Sequence, residues 1–467
     1  MKKKLRDDKM HTQEQKNTIL VAVITAFITT FMGSALNLSI PSMGKEFRVS
    51  AQEIGWVITV YMLTCCCLAV TFGRMADALD RKQILRTGIL FFAAASAAAV
   101  ISRSMWVLLV FRAMQGVGAS MIFATNIAVL TAAFDEDERG KMLGYATCAT
   151  YVGLSLGPVL GGLLNYHLGW RSIFISTAGI SALAFYFAMF KLSREKETKR
   201  DERKGKKMDA AGNAAFITGI FLLMYGLSEI RTKNYAPWVL AAGVLVLVAF
   251  VRIESQKESP LINIRFLKNN LPYTLSNFAA LLNYGATFAV SYLLSMYLQT
   301  IKEMTSQNAG FVLITSTAVM AVFSPVFGRI SDKKSPFFIS ALGMVLSAVA
   351  SAALFFLQET TPIWQLLLIL AVSGFGFSLF ASPNTNAVMS FVPTEDYAAA
   401  SALLATMRSS GHTLSMAVIT LVMGICMNGG TMENASGDEI MNSIHISFFI
   451  FTIFCILGIF MAIKRKI

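Results

Sequence analysis

Arg408 and His412, in the stretch ATMRSSGHTLSM, stand one helical turn apart and can hold or pass a proton. The i,i+4 spacing puts both on one face of a helix. Histidine changes charge nearest neutral pH, and an arginine beside it favours the uncharged imidazole. A neutral histidine hydrogen-bonded between helices is the plainer alternative. A second arginine, Arg112, lies in FRAMQGVGAS. All three interrupt apolar runs, where charge is expensive to bury, so each marks a functional or a tightly bonded position. No acid joins them: all 27 Asp and Glu fall between the runs or at their edges. Two cations without a mid-membrane acid give a net positive cavity, which tolerates anionic, zwitterionic or neutral amphiphiles better than permanent cations. The chain has no H-E-x-x-H and no G-x-x-x-x-G-K-[ST], so neither metalloenzyme chemistry nor nucleotide hydrolysis is expected. No metal and no cofactor are expected either.

The elements that carry these residues are long and apolar. Of 467 residues, 55% are apolar and 14% charged, against about 25% charged in a soluble domain. A bilayer takes roughly 20 residues of helix. Runs of that length occur at 17–40, 54–73, 83–101, 105–133, 142–165, 172–192, 210–228, 236–252, 272–295, 307–327, 337–357, 363–392, 398–426 and 443–463. They lack the alternation of barrel strands, so the expected class is an all-α polytopic membrane protein. With the N-terminus inside, 31 of the 40 Lys and Arg fall at inner ends and 7 at outer ones. The positive-inside rule then places both termini in the cytoplasm. The net charge of +13 is thus a topology and lipid-contact signal, not a nucleic-acid footprint. The basic N-terminal stretch leads into a first helix read as uncleaved, and a prokaryotic inner membrane is expected. The six cysteines lie mostly within runs and have no metal-ligand spacing.

A polar, charged segment separates runs six and seven. GRMADALDRK (73–82) after run two is echoed by GRISDKKSP (328–336) after run ten. That echo pairs runs 1–6 with 9–14 and leaves 7 and 8 as an insertion. The expected plan is a six-helix bundle over 1–192, a linker over 193–209, two inserted helices over 210–252 and a second bundle over 253–467. Two repeated bundles around a midplane site are a common plan of secondary transporters.

Within YVGLSLGPVLGGLLNYHLGW, Gly153, Gly157 and Gly161 recur every four residues and form a flat stripe that admits another helix at backbone distance. Pro158 removes one backbone bond and favours a kink. A sliding contact between bundles is the expectation, and static packing of two helices the alternative. In the 73–82 loop, Asp77 can pair with nearby basic residues or with the positive end of a helix. A surface ion pair is the alternative there.

These segments together resemble the major facilitator superfamily. Gly73, Asp77, Arg81 and Lys82 match its G-x-x-x-D-x-x-x-R-K loop, with Asp80 standing where a glycine is usual. Arg112, Gln115, Gly116 and Gly118 match R-x-x-Q-G-x-G. Gly153, Gly157, Pro158, Gly161 and Gly162 resemble the motif of the family's exporters, G-x-x-x-G-P-x-x-G-G. With fourteen runs, the chain is similar to the drug:proton antiporter branch of that span number. The resemblance implies two six-helix bundles with two inserted helices, a gate at 73–82 and a part for Arg112 in proton transfer or gating. It implies proton-coupled export of drug-like or lipid-like amphiphiles by alternating access. One departure matters. Asn37 and Pro41 match the exporters' span-1 stretch, but Met32 stands where an aspartate is expected. An uncoupled facilitator or exporter of an anionic or neutral metabolite is therefore the alternative, and a non-transporting sensor or structural protein a more distant one. Asn37, Gln115, Asn277, Asn283, Phe288, Phe377, Asn384 and Asn386 are the expected cavity-lining residues.

Overall fold

The computed structural model describes residues 2–36, 39–49, 51–192, 209–228, 230, 233–257, 260–262, 264–426 and 437–464. Lipid leaves the backbone no water to bond with, and every regular element among these residues is a helix. The chain forms two compact units, Met1–Asp209 with Val392–Ala405, and Ala210–Phe391 with Thr406–Ile467. Twelve helices among the described residues are long and apolar enough to cross a membrane. The expected runs at 83–101 and 398–426 are occupied by two further long helices, α4 and α15 below. The expected linker over 193–209 lies outside the described residues except for Asp209.

In the first unit α1 spans Lys2–Ala35, α2 Ile40–Phe47, α3 Ala51–Ala78, α4 Arg81–Ala99, α5 Met105–Ala133, α6 Glu136–Leu168 and α7 Arg171–Lys191. Phe31, Met32, Leu36, Tyr61, Phe92 and Phe174 are among the side chains that fill its core. Asp80, the acid that departs from the motif, accepts the backbone N–H groups of Lys82 at 2.8 Å and Gln83 at 3.3 Å. It is the N-cap of α4, and so replaces a permissive turn by a bonded one.

The second unit holds α8 (Ala210–Ser228), α9 (Ala236–Glu254), α10 (Ile264–Asn269), α11 (Leu271–Met296), α12 (Ser306–Lys333), α13 (Pro336–Phe355), α14 (Ile363–Ser390), α15 (Tyr397–Cys426) and α16 (Gly437–Lys464). The first nine residues of α15 belong to the first unit. Its core is built on Leu293, Tyr297, Phe448 and Phe451. The pair α8 and α9, at the place of the expected insertion, packs chiefly on itself.

The glycine stripe of α6 finds its neighbour in α1. A Cβ on Gly157 would stand 1.9 Å from Ser34 Oγ, and one on Gly161 2.3 Å from the carbonyl oxygen of Ala35. Thr30 uses the closeness to donate across to the Thr150 carbonyl at 3.0 Å. Both helices belong to the first unit, so the stripe packs within one bundle and not, as the sequence suggested, as a sliding contact between bundles. Pro158 and Gly162 lie half-buried on α6, outside the set of fully buried glycines. The same glycines produce a formal G-x-S-x-G around Ser155. It lies inside a continuous helix, without the strand-to-helix turn that a nucleophile elbow needs.

Short α2 is fastened to the start of α7. Glu46 accepts Arg171 Nη2 at 2.7 Å and Nη1 at 2.9 Å, and the indole N–H of Trp170 at 2.7 Å. Arg171 also reaches the carbonyls of Val100 and Ser102 beyond the end of α4. The hydrogen bonds from Arg171 hold the Glu46 carboxyl below its ordinary range, against a smaller upward push from burial.

Two outcomes follow from this packing. Gly161→Ala must displace backbone, so it is expected to lower the thermal midpoint in detergent by the equivalent of about 1–3 kcal/mol. Gly179→Ala, where nothing lies within 4 Å of the new Cβ, should leave the midpoint unchanged. The clasp gives a pH signature. A depressed carboxylate stabilises fully above its unfolded pKa of about 4.3, and that stabilisation is lost as pH falls through the lower folded value. Glu46→Gln should therefore lower the midpoint at neutral pH, by under ~1 kcal/mol for so exposed a pair. The gap between variant and wild type should close in acid, and a pH-independent gap would contradict the clasp.

Candidate functional site

Three constellations contain half of the site residues singled out by the sequence. The first joins the end of α3 to the start of α15. A Cβ on Gly73 would meet Ala402 Cβ at 2.5 Å and the Ala398 carbonyl at 2.8 Å, so only glycine lets the helices come this close. One turn on, Asp77 accepts the backbone N–H of Ala398 at 3.0 Å and of Ala399 at 2.7 Å. These are two of the donors that the first turn of a helix cannot satisfy internally, at its positive end. Arg81 donates to the same carboxylate through Nη2 at 2.7 Å and Nε at 3.1 Å, and to the Thr394 carbonyl. Lys82 pairs instead with Glu14 at 2.6 Å, and Arg74 with Asp396 at 3.3 Å. Asp77 therefore takes both partners that the sequence left open, the neighbouring arginine and a helix end.

Tyr397 and Arg139 belong to this cluster and were not singled out from the sequence. The guanidinium carbons of Arg81 and Arg139 lie 5.7 Å and 5.6 Å from the centre of the Tyr397 ring, within cation–π range. Arg139 sits in DEDERGK, a run of charges that reads as a solvated face. No local signal separates it from its neighbours.

The second constellation surrounds Arg112, which is fully buried. Its Nε donates to the Val57 carbonyl at 2.8 Å, Nη1 to the side-chain oxygen of Gln115, and its guanidinium lies 4.4 Å from the centre of the Tyr61 ring. Gln115 passes the contact on to Ser96 Oγ at 2.7 Å. The cation is thus clamped by a carbonyl, an amide and a ring, with Nη2 buried and unpartnered among the described residues. Gln115 is committed to this clamp, and its side chain is buried. Where an aspartate was expected, Met32 is buried and its sulfur accepts from the Thr177 hydroxyl at 3.3 Å. Asn37 lies outside the described residues.

The third constellation lies in the second unit. Gly411 sits against the Leu281 carbonyl, 2.3 Å from where a Cβ would stand, and brings α15 onto α11 at backbone distance. The next residue, His412, stacks on Phe288 with ring centres 5.0 Å apart, and lies 5.8 Å from the Tyr284 ring. Arg408 joins this group at Tyr284, its guanidinium 5.0 Å from the ring centre, and donates through Nη2 to Thr385 Oγ1 at 2.6 Å. Tyr284 meets Phe377 edge-on at 5.0 Å. Among the described residues no carboxylate pairs with Arg112, Arg408 or His412. Tyr284 and Thr385 were missed by the sequence reading because only the packing of three helices brings them to Arg408.

The expected cavity amides divide. Asn283 donates to Ser347 Oγ at 3.4 Å, Asn384 to the Ser276 carbonyl at 3.2 Å and Asn386 to Ser331 Oγ at 3.2 Å. These join helices to one another, whereas Asn277 bonds back to the Tyr273 carbonyl of its own helix. Phe288 and Phe377 are brought to His412 and Tyr284; the asparagines form no single cluster with them. Among the described residues no group of His, Cys, Asp and Glu could hold a metal.

The sequence pattern of the Major Facilitator Superfamily matches residues 22–416. The riboflavin transporter RibZ of Clostridioides difficile is 27% identical over 405 residues, 86% of this chain and 87% of that protein. Multidrug resistance protein Stp of Mycobacterium tuberculosis is 25% identical over 425 residues, 89% of this chain and 77% of its own length. Among solved structures, the human organic anion transporter MFSD10 (TETRAN) superposes with a TM-score of 0.70 at 13% identity, covering 97% of this chain and 99% of that one. That last likeness is one of fold.

The Asp77 contact has a direct readout. Asp77→Ala removes the charged acceptor from two amides, and hydrogen bonds to charged groups are worth about 1.5–3 kcal/mol. Hydrogen exchange at Ala398 and Ala399 should then accelerate about tenfold or more relative to wild type. Unchanged exchange would mean that Asp77 does not hold the helix start.

Proposed function

The chain belongs to the major facilitator superfamily, whose members carry small molecules across membranes and are not enzymes, and on that footing we propose a proton-coupled exporter of drug-like or lipid-like amphiphiles. It works by alternating access, with fourteen spans, both termini cytoplasmic, in a prokaryotic inner membrane. The helices α4 and α15 at the two remaining runs support the span number. The multidrug resistance name of one relative supports the substrate class, and the riboflavin transporter widens it to a flat heteroaromatic molecule.

The observation that carries the reading is the capping of α15 by Asp77. A carboxylate that closes a helix end contributed from 321 residues away is a contact that one conformation can hold and another release. Gly73 and Arg81 position it, Lys82 ties the same loop to Glu14, and Gly153, Gly157, Pro158, Gly161 and Gly162 give the first bundle the rigidity to move as a body. Protons enter through Arg112, Arg408 and His412. Of these His412 is the carrier, because an arginine stays charged throughout.

Met32 favours a second reading. With a thioether at the span-1 position, transport without proton coupling, of an anionic or neutral metabolite, needs no further carrier.

Proteoliposomes with a preset pH gradient separate the two. Under the proton-coupled reading, adding an amphiphile collapses the gradient in the wild type and fails to do so in His412→Gln, while Arg112→Ala slows the collapse. Substrate flux down its own gradient with no proton movement would replace that reading by the uncoupled one.

A further inference from the structure

Arg408 is the twelfth residue of the thirty-residue α15, about 17 Å along the helix from its start, which on the span number proposed above places it well inside the bilayer. A guanidinium has five N–H donors. Among the described residues one acceptor serves Arg408, the Thr385 hydroxyl. Its Nε is buried with no hydrogen-bond partner. A half-buried cation with most of its donors lacking a protein partner is costly at membrane depth unless a counter-charge arrives. The Tyr284 ring lies over the guanidinium. What remains is the planar edge, the fork that matches two oxygens of one acidic group.

The surroundings add a shape requirement. Phe288 and His412 lie stacked with 29° between their planes, and Tyr284 is tilted 52° to the histidine. Among the described residues neither ring nitrogen of His412 is bonded, so the imidazole presents a flat, uncommitted face. Aromatic faces arranged this way accept a further ring in offset or edge-on contact. Among the described residues no acid pairs with Arg408 or His412 to answer a cationic ligand. An aliphatic acid would satisfy the arginine and leave the rings unused.

We propose that Arg408, with Tyr284, Phe288 and His412, forms a subsite for a planar aromatic anion, an aryl carboxylate or sulfonate. The inference rests on the transport reading above and narrows its substrate. The carboxylate lies along the free edge of Arg408, and the ring lies against Phe288 and His412.

Binding to the full chain in lipid nanodiscs tests it, with empty nanodiscs as blank. The probes are 2-naphthoate, its neutral amide 2-naphthamide, the cation 2-naphthylmethylammonium and the ring-free acid cyclohexanecarboxylate. The wild type should bind 2-naphthoate at least about tenfold more tightly than each of the other three. Arg408→Gln should weaken 2-naphthoate about ten- to a hundredfold, the range expected for lost charge-assisted bonds, and leave 2-naphthamide unchanged. Phe288→Leu should weaken both aromatic probes and keep the anion ahead of the amide. Equal affinities across the four probes in the wild type would overturn the subsite, as would an Arg408→Gln protein that binds 2-naphthoate normally. If Arg408→Gln is not recovered folded, the wild-type ranking and Phe288→Leu decide alone. Binding needs no gradient, so proteoliposomes that fail to move protons leave the subsite standing. Transport of neutral amphiphiles with no anion preference would remove the subsite and leave transport intact.

Discussion

Asp77 takes a negative charge to a place where 2% of its side chain meets solvent, and Arg81 beside it is equally buried. An isolated pair of that kind tends to lose as much in desolvation as it gains in attraction. The balance changes because the carboxylate also receives two backbone N–H groups from the first turn of α15, at the positive end of a helix. One side chain thus satisfies an arginine and two orphan donors at once. Much of the neighbouring structure depends on that arrangement. Gly73 lets the helices close to backbone distance, Asp80 fixes the start of α4 beside Arg81, and Tyr397 lies within cation–π range of two guanidinium groups.

At Arg112 and Arg408 the problem is inverted, with cations present and, among the described residues, no acid paired with them. Two solutions appear. Arg112 is enclosed by a carbonyl, an amide and the Tyr61 ring, partners that lower its cost without cancelling its charge. Arg408 has one hydroxyl and a ring, and keeps donors in reserve. The first environment suits a charge that must stay in place, the second a charge that waits for a partner.

The sequence disclosed the helices well, because lipid demands runs of about 20 apolar residues and gives soluble segments no reason to have them. Asp77, Arg81 and Arg112 were legible for a related reason. Charges at or inside such runs are rare enough to be noticed singly. What stayed hidden is the identity of partners. The spacing of Gly153, Gly157 and Gly161 specifies a flat face but not whose face meets it, and α1 was the answer. Tyr397 lies some 260 residues from Arg139, and Glu46 is 125 residues from Arg171. No local periodicity records such distances. The expected amides failed to form one cluster for the same reason: a polar residue in an apolar helix looks alike whether it lines a cavity or joins two helices.

On the proposed alternating-access cycle, the cations Arg112 and Arg408 would make the unloaded protein sensitive to voltage. A transmembrane potential acts on each elementary charge with about 2.3 kcal/mol per 100 mV for full passage across the bilayer. A charge that shifts through part of the field feels that fraction. With no acid beside Arg112 and Arg408 among the described residues, any movement of these helices along the membrane normal moves uncompensated charge. An anion seated on Arg408 would cancel part of it. The resting potential of the cell would then bias the return of the empty carrier more strongly than the passage of the loaded one, and the two halves of the cycle would differ in their electrical character.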